Sequence, residues 1–373
     1  MPLASLRGGA ERTLLHLLDH QAATGLRWTV VFFEDGPLVE AARDRGVDVE
    51  ILNTGRLRQP VRFLRAVRRL AQLFRRRRVD LVLSWMGKAH LYGGPAALWA
   101  DRPALWFQHA FPADVHWMDR LVTLLPAAGV LACSRAGAAQ QESLWPHRPT
   151  SVVHPGVDLD TFSRKRLPAR AVLRAERGLP PEGPVVGMVG RLQRWKGMHV
   201  FIEAVARLRD DFPALRGVIV GGTHEHEPEY PARLRHQIDR LGLEDAILMT
   251  GFQFNPAAWM GTFDVFVHAS DREPFGLVVV EAMGLGLPVV ASDTAGPTEV
   301  IAAEETGLFA PFGDDARLAD QIRRYLEAPA WAQAIGRAAR ERALDFTPLH
   351  FATRVATTIR AHTAPVPATT GAP

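Results

Sequence analysis

The chain has 373 residues, enough for two domains of about 150 residues each, and its 47% hydrophobic and 23% charged residues are typical of globular proteins. The net charge of +4 comes almost wholly from arginine, because Lys88, Lys165 and Lys196 are the only lysines. A single cysteine, Cys133, excludes an internal disulfide framework, and the lack of about 18 consecutive apolar residues or a signal-peptide pattern favours a cytoplasmic protein.

Short β-branched runs alternate with longer helical patterns along the chain. Such runs are typical of buried parallel strands, and the alternation predicts an α/β fold with two doubly wound sheets. The predicted strands are Trp28–Phe33, Val47–Leu52, Leu81–Ser84, Leu105–Gln108, Val130–Cys133, Ser151–His154, Val185–Val189, Gly217–Val220, Ala246–Thr250, Val265–His268 and Val289–Ser292.

The alternation breaks over residues 157–184, where Asp, Arg and Pro are dense. We therefore expect a first domain over residues 1–163 and a second over residues 164–346. A last helix is expected over residues 347–362, and the Pro-, Ala- and Thr-rich tail 363–373 is expected to be disordered.

The first motif along the chain is Gly8-Gly9, which opens a helix with a stripe of leucines. Glycines at a helix start let a substrate approach the backbone N–H groups, although such a pair is often only a tight turn. The pattern is not Gly-x-Gly-x-x-Gly, so it does not favour a nicotinamide-dependent oxidoreductase.

Ten arginines lie between Arg56 and Arg78. They surround an apolar stripe formed by Val61, Leu64, Val67, Leu70 and Phe74. The favoured interpretation is a surface helix of the first sheet with a solvated face, and the alternative is attraction to an anionic membrane surface. No accompanying motif or aromatic interleaving favours nucleic acid.

A histidine, His109, ends a predicted strand of the first domain. A lone histidine is more often structural. At the carboxyl end of a parallel strand, however, it becomes a candidate for contact with a sugar or an acceptor.

Basic residues follow the first strand of the second domain. Gly190, Arg191 and Lys196 lie in the loop after Val185–Val189, at the edge where open α/β sheets bind ligands. Two cations there can hold a diphosphate and stabilise its charge as it leaves. The alternative is that both are solvated.

Two carboxylates, Glu273 and Glu281, flank a Pro-Phe-Gly turn at a predicted helix start. A helix N-terminus has free N–H groups and a partial positive charge, which suit a phosphate. On one continuous helix the two glutamates would lie about 80° apart, so we place Glu273 in the loop and Glu281 in the helix. Glu281 can then accept hydrogen bonds from ribose hydroxyls, and Glu273 from a sugar hydroxyl.

Two other clusters resemble metal sites. Asp158-x-Asp160 has the spacing of metal-dependent sugar transferases but lies in the predicted connector between domains. The run His224–Glu227 lies in a polar loop and lacks a distant third partner. We therefore expect no metal site.

Arg191…Lys196, Glu273-x7-Glu281 and the block Gly286–Ser292 together resemble the retaining glycosyltransferases of family 4, over about residues 8–346. The resemblance implies a GT-B fold, in which two Rossmann-like domains face a central cleft and the last helix crosses back to the first domain. It also implies same-face attack through an oxocarbenium-like state, with no metal or cofactor required.

The resemblance implies roles for individual residues as well. Arg191 and Lys196 would contact the donor diphosphate, Glu281 the ribose, and Glu273 would lie beside the donor sugar. The remaining contacts would come from backbone N–H groups around Phe275, Gly276 and Leu277 to the sugar and phosphate, from Gly8 and Gly9 to the phosphate and acceptor, and from His109 to the primary-alcohol end of the sugar.

The chain departs from the family before Gly8. A strand usually precedes the glycine pair, but here residues 3–6 have a poor strand pattern, so the first strand is expected to be missing or degenerate. Such a loss would expose neighbouring sheet edges.

The expected function is metal-independent, retaining transfer of a hexose from a UDP-, GDP- or ADP-sugar to a hydroxyl of a glycan or lipid-linked acceptor. Bacterial surface-polysaccharide or glycolipid synthesis at the inner face of the cytoplasmic membrane would use such an enzyme. The alternatives are a sugar-nucleotide epimerase of the same architecture and a non-catalytic sugar-nucleotide-binding protein.

Overall fold

The computed structural model describes residues 1, 4, 8–54, 59–111 and 117–363, and the chain divides into two compact units. Unit 1 contains residues 1–156 together with the chain from Pro348 onward, and unit 2 contains residues 157–347. The division lies at 156/157 rather than at 163/164 because the connector packs on unit 2. The Val157 N–H donates to the Phe346 carbonyl at 2.8 Å, and Leu159 lies against Gly284.

Helices and strands alternate along the described residues. The helices are α1 (Gly9–Asp19), α2 (Gln21–Thr24), α3 (Pro37–Arg43), α4 (Pro60–Arg76), α5 (Gly87–Trp99), α6 (Trp117–Leu124), α7 (Arg135–Glu142), α8 (Arg170–Glu176), α9 (Met198–Leu208), α10 (Tyr230–Arg240), α11 (Pro256–Met260), α12 (Leu277–Gly284), α13 (Pro297–Val300), α14 (Asp315–Glu327), α15 (Pro329–Ala343) and α16 (Pro348–Thr363). The strands are β1 (Thr29–Phe32), β2 (Asp48–Ile51), β3 (Val82–Trp85), β4 (Ala104–Gln108), β5 (Gly129–Ala132), β6 (Thr150–Val152), β7 (Val185–Val189), β8 (Arg216–Val220), β9 (Ile247–Gly251), β10 (Val265–His268), β11 (Val289–Ser292) and β12 (Leu308–Ala310).

All eleven predicted strands are confirmed, with ends that shift by two residues at most. The edge strand β12, of three residues, was not predicted. Its pattern is too short to stand out from a loop.

The described residues of unit 1 form two parallel sheets, one of β1 and β2 and the other in the order β3-β4-β5-β6. The Met1 backbone lies beside β1, where its amino group donates to the Val31 carbonyl at 2.8 Å and its carbonyl accepts from the Phe33 N–H at 3.0 Å. The poor strand expected at residues 3–6 falls almost wholly outside the described residues, as does the tail from residue 364.

The predicted apolar stripe of the arginine-rich helix α4 is wrong at its first two positions. Val61 and Leu64 are exposed, and the buried face runs through Ala66, Val67, Leu70, Ala71 and Phe74. Three successive steps of three residues rotate a helix by about 180°, so Val61 faces away from Leu70. The outward face therefore combines arginines with exposed aliphatic side chains.

Unit 2 contains one six-stranded parallel sheet in the order β12-β11-β10-β7-β8-β9. The chain runs outward from β7 through β8 and β9, and then returns to the other side of β7 with β10. The direction of winding therefore reverses between β7 and β10, and the crevice at such a switch point is where open α/β sheets bind ligands. Within the described ranges, every helix of the protein is too short or too polar to cross a lipid bilayer.

Candidate active site

Two loops meet at the switch point of unit 2. Strands β7 and β10 are paired in parallel, so the loop after each begins at the same edge of the sheet. The Asp271 N–H donates to the Trp195 carbonyl at 2.8 Å and joins the loops. Gly197 adopts a φ of +76°, and a Cβ atom there would lie 1.9 Å from the Ala269 carbonyl oxygen. Only glycine allows this approach of the two backbones.

A buried ion pair joins these loops. The Lys196 ammonium contacts Oε2 of Glu273, and the two side chains are only 12% and 13% exposed. The ammonium also lies 4.1 Å from the centre of the Trp195 ring, a cation–π geometry. Lys196 ends a short 3-10 turn, Arg194–Lys196. The structure thus brings together two residues that the sequence assigned to opposite ends of a donor.

A histidine completes the cluster. His268 is the last residue of β10 and is 2% exposed, and its Nε2 lies 3.2 Å from Oε2 of Glu273. This histidine was not among the site residues predicted from the sequence. A polar residue that ends the apolar run Val265–His268, five residues before Glu273, was the available signal.

The environment keeps Glu273 ionised. Burial alone would raise the pKa of its carboxyl, but the charge of Lys196 and the hydrogen bond from His268 outweigh burial and hold the pKa at about 2. The carboxylate therefore stays charged at physiological pH.

The helix α12 starts directly beside this cluster. Gly276, its N-cap, has a φ of +96°, and the first N–H groups of the helix have no partner within it. The Gly296 N–H donates to the Glu273 carbonyl at 3.0 Å, and a Cβ on Gly296 would lie 2.3 Å from the Phe275 Cα, so the turn before Leu277 is tightly held.

The second glutamate lies inside α12. Glu281 is 1% exposed in a helix whose other residues are mostly buried, whereas Glu273 is in the loop, as the helix geometry predicted. A carboxylate at this depth requires polar partners.

The predicted cation Arg191 lies at the outer side of the loop. It is exposed, and its side chain forms no hydrogen bond or ion pair with another described residue. Burial, and then the charge of Arg191, lower the pKa of His224. Gly190 is fixed by its N–H bond to the Val220 carbonyl at 3.0 Å, and a Cβ on Gly221 would lie 1.8 Å from the Gly190 oxygen.

The two sequences with metal-like spacing have other contacts. Asp158 accepts hydrogen bonds from the Asp160 N–H at 3.0 Å and from the Thr161 hydroxyl at 2.6 Å, which shapes a turn. Glu227 accepts from the Arg194 N–H at 2.7 Å. Among the described residues, no group of three or more His, Cys, Asp or Glu side chains could hold a metal ion.

In unit 1, the glycine pair starts α1. Gly8 is the N-cap, and a Cβ there would lie 2.0 Å from a carboxylate oxygen of Glu11, so a larger residue would displace that buried side chain. The Gly9 carbonyl accepts from the Thr13 hydroxyl at 2.7 Å, and the Trp85 indole donates to the Ala10 carbonyl at 2.9 Å. Trp85 thereby holds the start of α1 against the end of β3.

The same tryptophan contacts His109, which follows β4. The imidazole lies 4.9 Å from the Trp85 ring and stacks at 4.2 Å on Phe107. Its Nε2 is buried and has no hydrogen-bond partner in the described part of the chain. Burial lowers the pKa of His109 to about 3, so the imidazole is neutral at physiological pH.

We expect His109 to make unit 1 sensitive to acid. The pKa of His109 is about 3 in the folded state and has the ordinary value of 6.5 in the unfolded state. The contribution of the neutral imidazole to the free energy of unfolding is therefore fully present above pH 6.5 and is lost as the pH falls towards 3. His109→Phe should flatten the decrease in the free energy of unfolding between pH 7 and pH 4, measured by urea denaturation. The same slope in both proteins would contradict a buried, neutral imidazole.

Gly197→Ala should destabilise unit 2 by about 3 kcal/mol or more, because it combines left-handed backbone strain with overpacking against a carbonyl. Gly178→Ala is the matched control, since Gly178 has a φ of +66° but the methyl group of an alanine there would meet no other atom within 4 Å. The control should lose only about 1–2 kcal/mol of unfolding free energy. Equal losses would show that the approach to Ala269 is unimportant.

Each unit matches a family of known proteins, and solved structures resemble nearly the whole chain. Residues 7–161 match the family described as Glycosyltransferase Family 4, and residues 169–342 match Glycosyl transferases group 1. The crystal structures of Anabaena Alr3699/HepE in complex with UDP and with UDP-glucose are similar, with TM-scores of 0.84 and 0.83 and 27% identity. These matches cover 96% and 97% of this chain, and 98% of that chain in both cases.

Curated relatives match over shorter stretches. A D-inositol 3-phosphate glycosyltransferase of Streptomyces avermitilis is 35% identical over 207 residues, which is 52% of this chain and 43% of that protein. The lipopolysaccharide core biosynthesis glycosyltransferase LpsD of Rhizobium meliloti is 37% identical over 169 residues, or 45% of this chain and 46% of that protein. The chain thus spans about half the length of the curated relatives it matches. With each unit matched to the same class of transferase, the chain belongs to the group 1 glycosyltransferases of family 4 and has their GT-B fold.

Proposed function

We propose that this protein transfers a hexose from a UDP-sugar to a hydroxyl group of a glycan or lipid-linked acceptor, with retention of anomeric configuration and without a metal. The observation that carries the proposal is the contact of Lys196 with Glu273 at the switch point of unit 2, beside the start of α12. Similarity to HepE, solved with UDP-glucose, supports the uridine nucleotide, and similarity to LpsD supports a role in surface-polysaccharide synthesis.

The proposed donor site uses complementary charges. Lys196, the exposed Arg191 and the N–H groups at Gly276 and Leu277 supply positive charge for the diphosphate. Glu281, deep in α12, would accept hydrogen bonds from the ribose at the bottom of the site. No metal is needed if these groups neutralise the phosphates.

Bond changes follow from this distribution of charge. The bond between the anomeric carbon and the diphosphate breaks, and its electron pair goes to the phosphate oxygen, which Lys196 and Arg191 stabilise. The acceptor oxygen forms its bond on the same face of the sugar, and the hydroxyl proton passes to the departing phosphate oxygen. The ionised Glu273 opposes the positive charge that develops on the sugar.

We expect Arg191→Ala and Lys196→Ala to weaken UDP binding at least about tenfold each, because each removes a charge-assisted hydrogen bond. Lys165→Ala, which removes an exposed lysine of the same unit, should leave the affinity unchanged. Glu273→Gln should bind UDP-glucose but lose most turnover. Calorimetry with UDP and chromatography of UDP-glucose reactions, with and without a hydroxyl acceptor, provide the measurements.

The same reactions separate the alternatives. A transferase forms UDP and a glycoside when acceptor is present, whereas an epimerase forms a new sugar nucleotide from donor alone. A binding protein would show affinity without product. Unchanged binding and turnover in Glu281→Ala would contradict the assignment of the ribose site.

We also propose that α4 attaches the protein to the inner face of the cytoplasmic membrane. Arg62, Arg65, Arg68 and Arg69 are exposed and have no hydrogen-bond or ion-pair partner among the described residues, and the exposed Val61 and Leu64 lie on the same helix. Such a face suits anionic headgroups.

Replacing these four arginines with glutamine should weaken binding to phosphatidylglycerol-containing vesicles about tenfold or more, since each basic residue near the surface contributes about 1 kcal/mol. A control with Arg233, Arg235, Arg337 and Arg354 changed to glutamine carries the same net charge. Sedimentation with vesicles measures both. If the control loses as much affinity for the vesicles, binding depends on net charge alone and α4 has no specific role.

A further inference from the structure

Glu273 receives both of its side-chain hydrogen bonds on one oxygen atom. The ammonium of Lys196 and the Nε2 atom of His268, at 3.2 Å, both contact Oε2. A carboxylate offers only acceptors, so the ring nitrogen that faces it carries a proton. His268 is therefore a second donor to the charge that Lys196 neutralises.

The fold holds these two donors differently. Lys196 has a flexible four-carbon stem at the end of a 3-10 turn. His268 is buried at the end of β10, between β7 and β11, and its carbonyl accepts from the Ser292 hydroxyl at 3.4 Å. The lysine can turn towards a ligand, whereas the imidazole stays with the strand.

A bound donor would give the Lys196 ammonium a second negatively charged partner. In the proposed function its ammonium also faces the diphosphate, which carries more negative charge than one carboxylate. Burial favours the protonated form of Glu273, and the charge of Lys196 is the strongest influence that opposes burial and lowers the pKa. As the ammonium turns to the phosphates, Glu273 needs another partner to remain ionised.

We propose that His268 is a positioning residue that keeps Glu273 ionised and oriented while Lys196 is engaged by the donor diphosphate. The inference takes the presence of a diphosphate from the proposed function. The contact between His268 and Glu273 is independent of that function. The ionisable groups that act on Glu273 from the surrounding elements are Lys196, after β7, and His268, on β10.

The second ring nitrogen makes the proposal readily testable. Nδ1 of His268 is buried and has no hydrogen-bond partner in the described ranges. Glu273 alone therefore determines which nitrogen carries the proton. For the same reason, replacing the ring by an apolar side chain removes the bond to Glu273 and leaves no other described group unpaired.

The contact is tested first without donor, in a Lys196→Met background that removes the ammonium. The Glu273 carboxyl carbon, followed by 13C NMR and assigned with Glu273→Gln, should titrate at least about one pH unit lower in Lys196→Met than in Lys196→Met/His268→Leu. His268→Gln keeps a donor amide and should restore most of the difference. Identical titrations in all three proteins would overturn the proposal.

Kinetics test the consequence in the full chain. His268→Leu should lower kcat for UDP-glucose about tenfold and move the acid limb of the pH profile upward, with KM and UDP affinity changed less than about twofold. His268→Gln should recover most of kcat. Ser292→Ala, which removes only the hydroxyl that bonds the His268 carbonyl, should keep the wild-type profile.

A purely structural role for His268 gives another pattern. Activity would then fall with thermal stability at every pH, without movement of the acid limb, and the proposal would be rejected. If His268→Leu does not fold, His268→Asn replaces it, because its shorter amide cannot reach Oε2.

Failure of the proposed function is recognised separately. A wild-type protein that neither binds UDP nor turns over UDP-glucose overturns the transferase proposal. The titration in the Lys196→Met background still decides whether His268 holds Glu273 in its charged form.

Discussion

The contact of a buried ammonium with a buried carboxylate organises the candidate active site of unit 2. Either charge alone at that depth would be costly, but Lys196 and Glu273 contact and neutralise each other. The loops that carry them are already tied together by the Gly197 backbone and the Asp271 N–H. The candidate site therefore holds its two opposite charges as a compact, neutral pair.

Unit 1 contains a neutral buried histidine where unit 2 contains a buried ion pair. Its candidate histidine packs against the aromatic rings of Trp85 and Phe107, and burial lowers its pKa and keeps it neutral. Trp85 also bonds the first turn of α1, so the glycine pair and the imidazole share one support. The two units thus differ in their candidate residues, which are paired charges in unit 2 and backbone groups with an uncharged ring in unit 1.

Local pattern was enough to predict most of the fold. Strands buried on both faces have continuous apolar runs, so β7, β10 and β11 were found with their observed ends. The edge strand β12 is too short for such a signal. The stripe on α4 failed because repeated steps of three residues drift around a helix, which brings Val61 and Leu64 to the surface.

The site was only partly predictable, because its contacts depend on strand order. Helix geometry was sufficient to separate Glu273 from Glu281. That Lys196 touches Glu273, 77 residues later in the chain, follows only from the pairing of β7 with β10. His268 was missed for the same reason, since its importance comes from what lies beside the end of its strand and not from its sequence neighbours.

The arginine-rich outer face of α4 has a consequence for control of the protein. Guanidinium groups stay charged throughout the biological pH range, so their attraction to an anionic surface would respond to ionic strength and hardly to acidity. The carboxylate–imidazole pair in unit 2 is buried, so salt reaches it weakly. A rise in ionic strength would therefore weaken attachment to a membrane and leave the charges of the candidate active site almost unchanged.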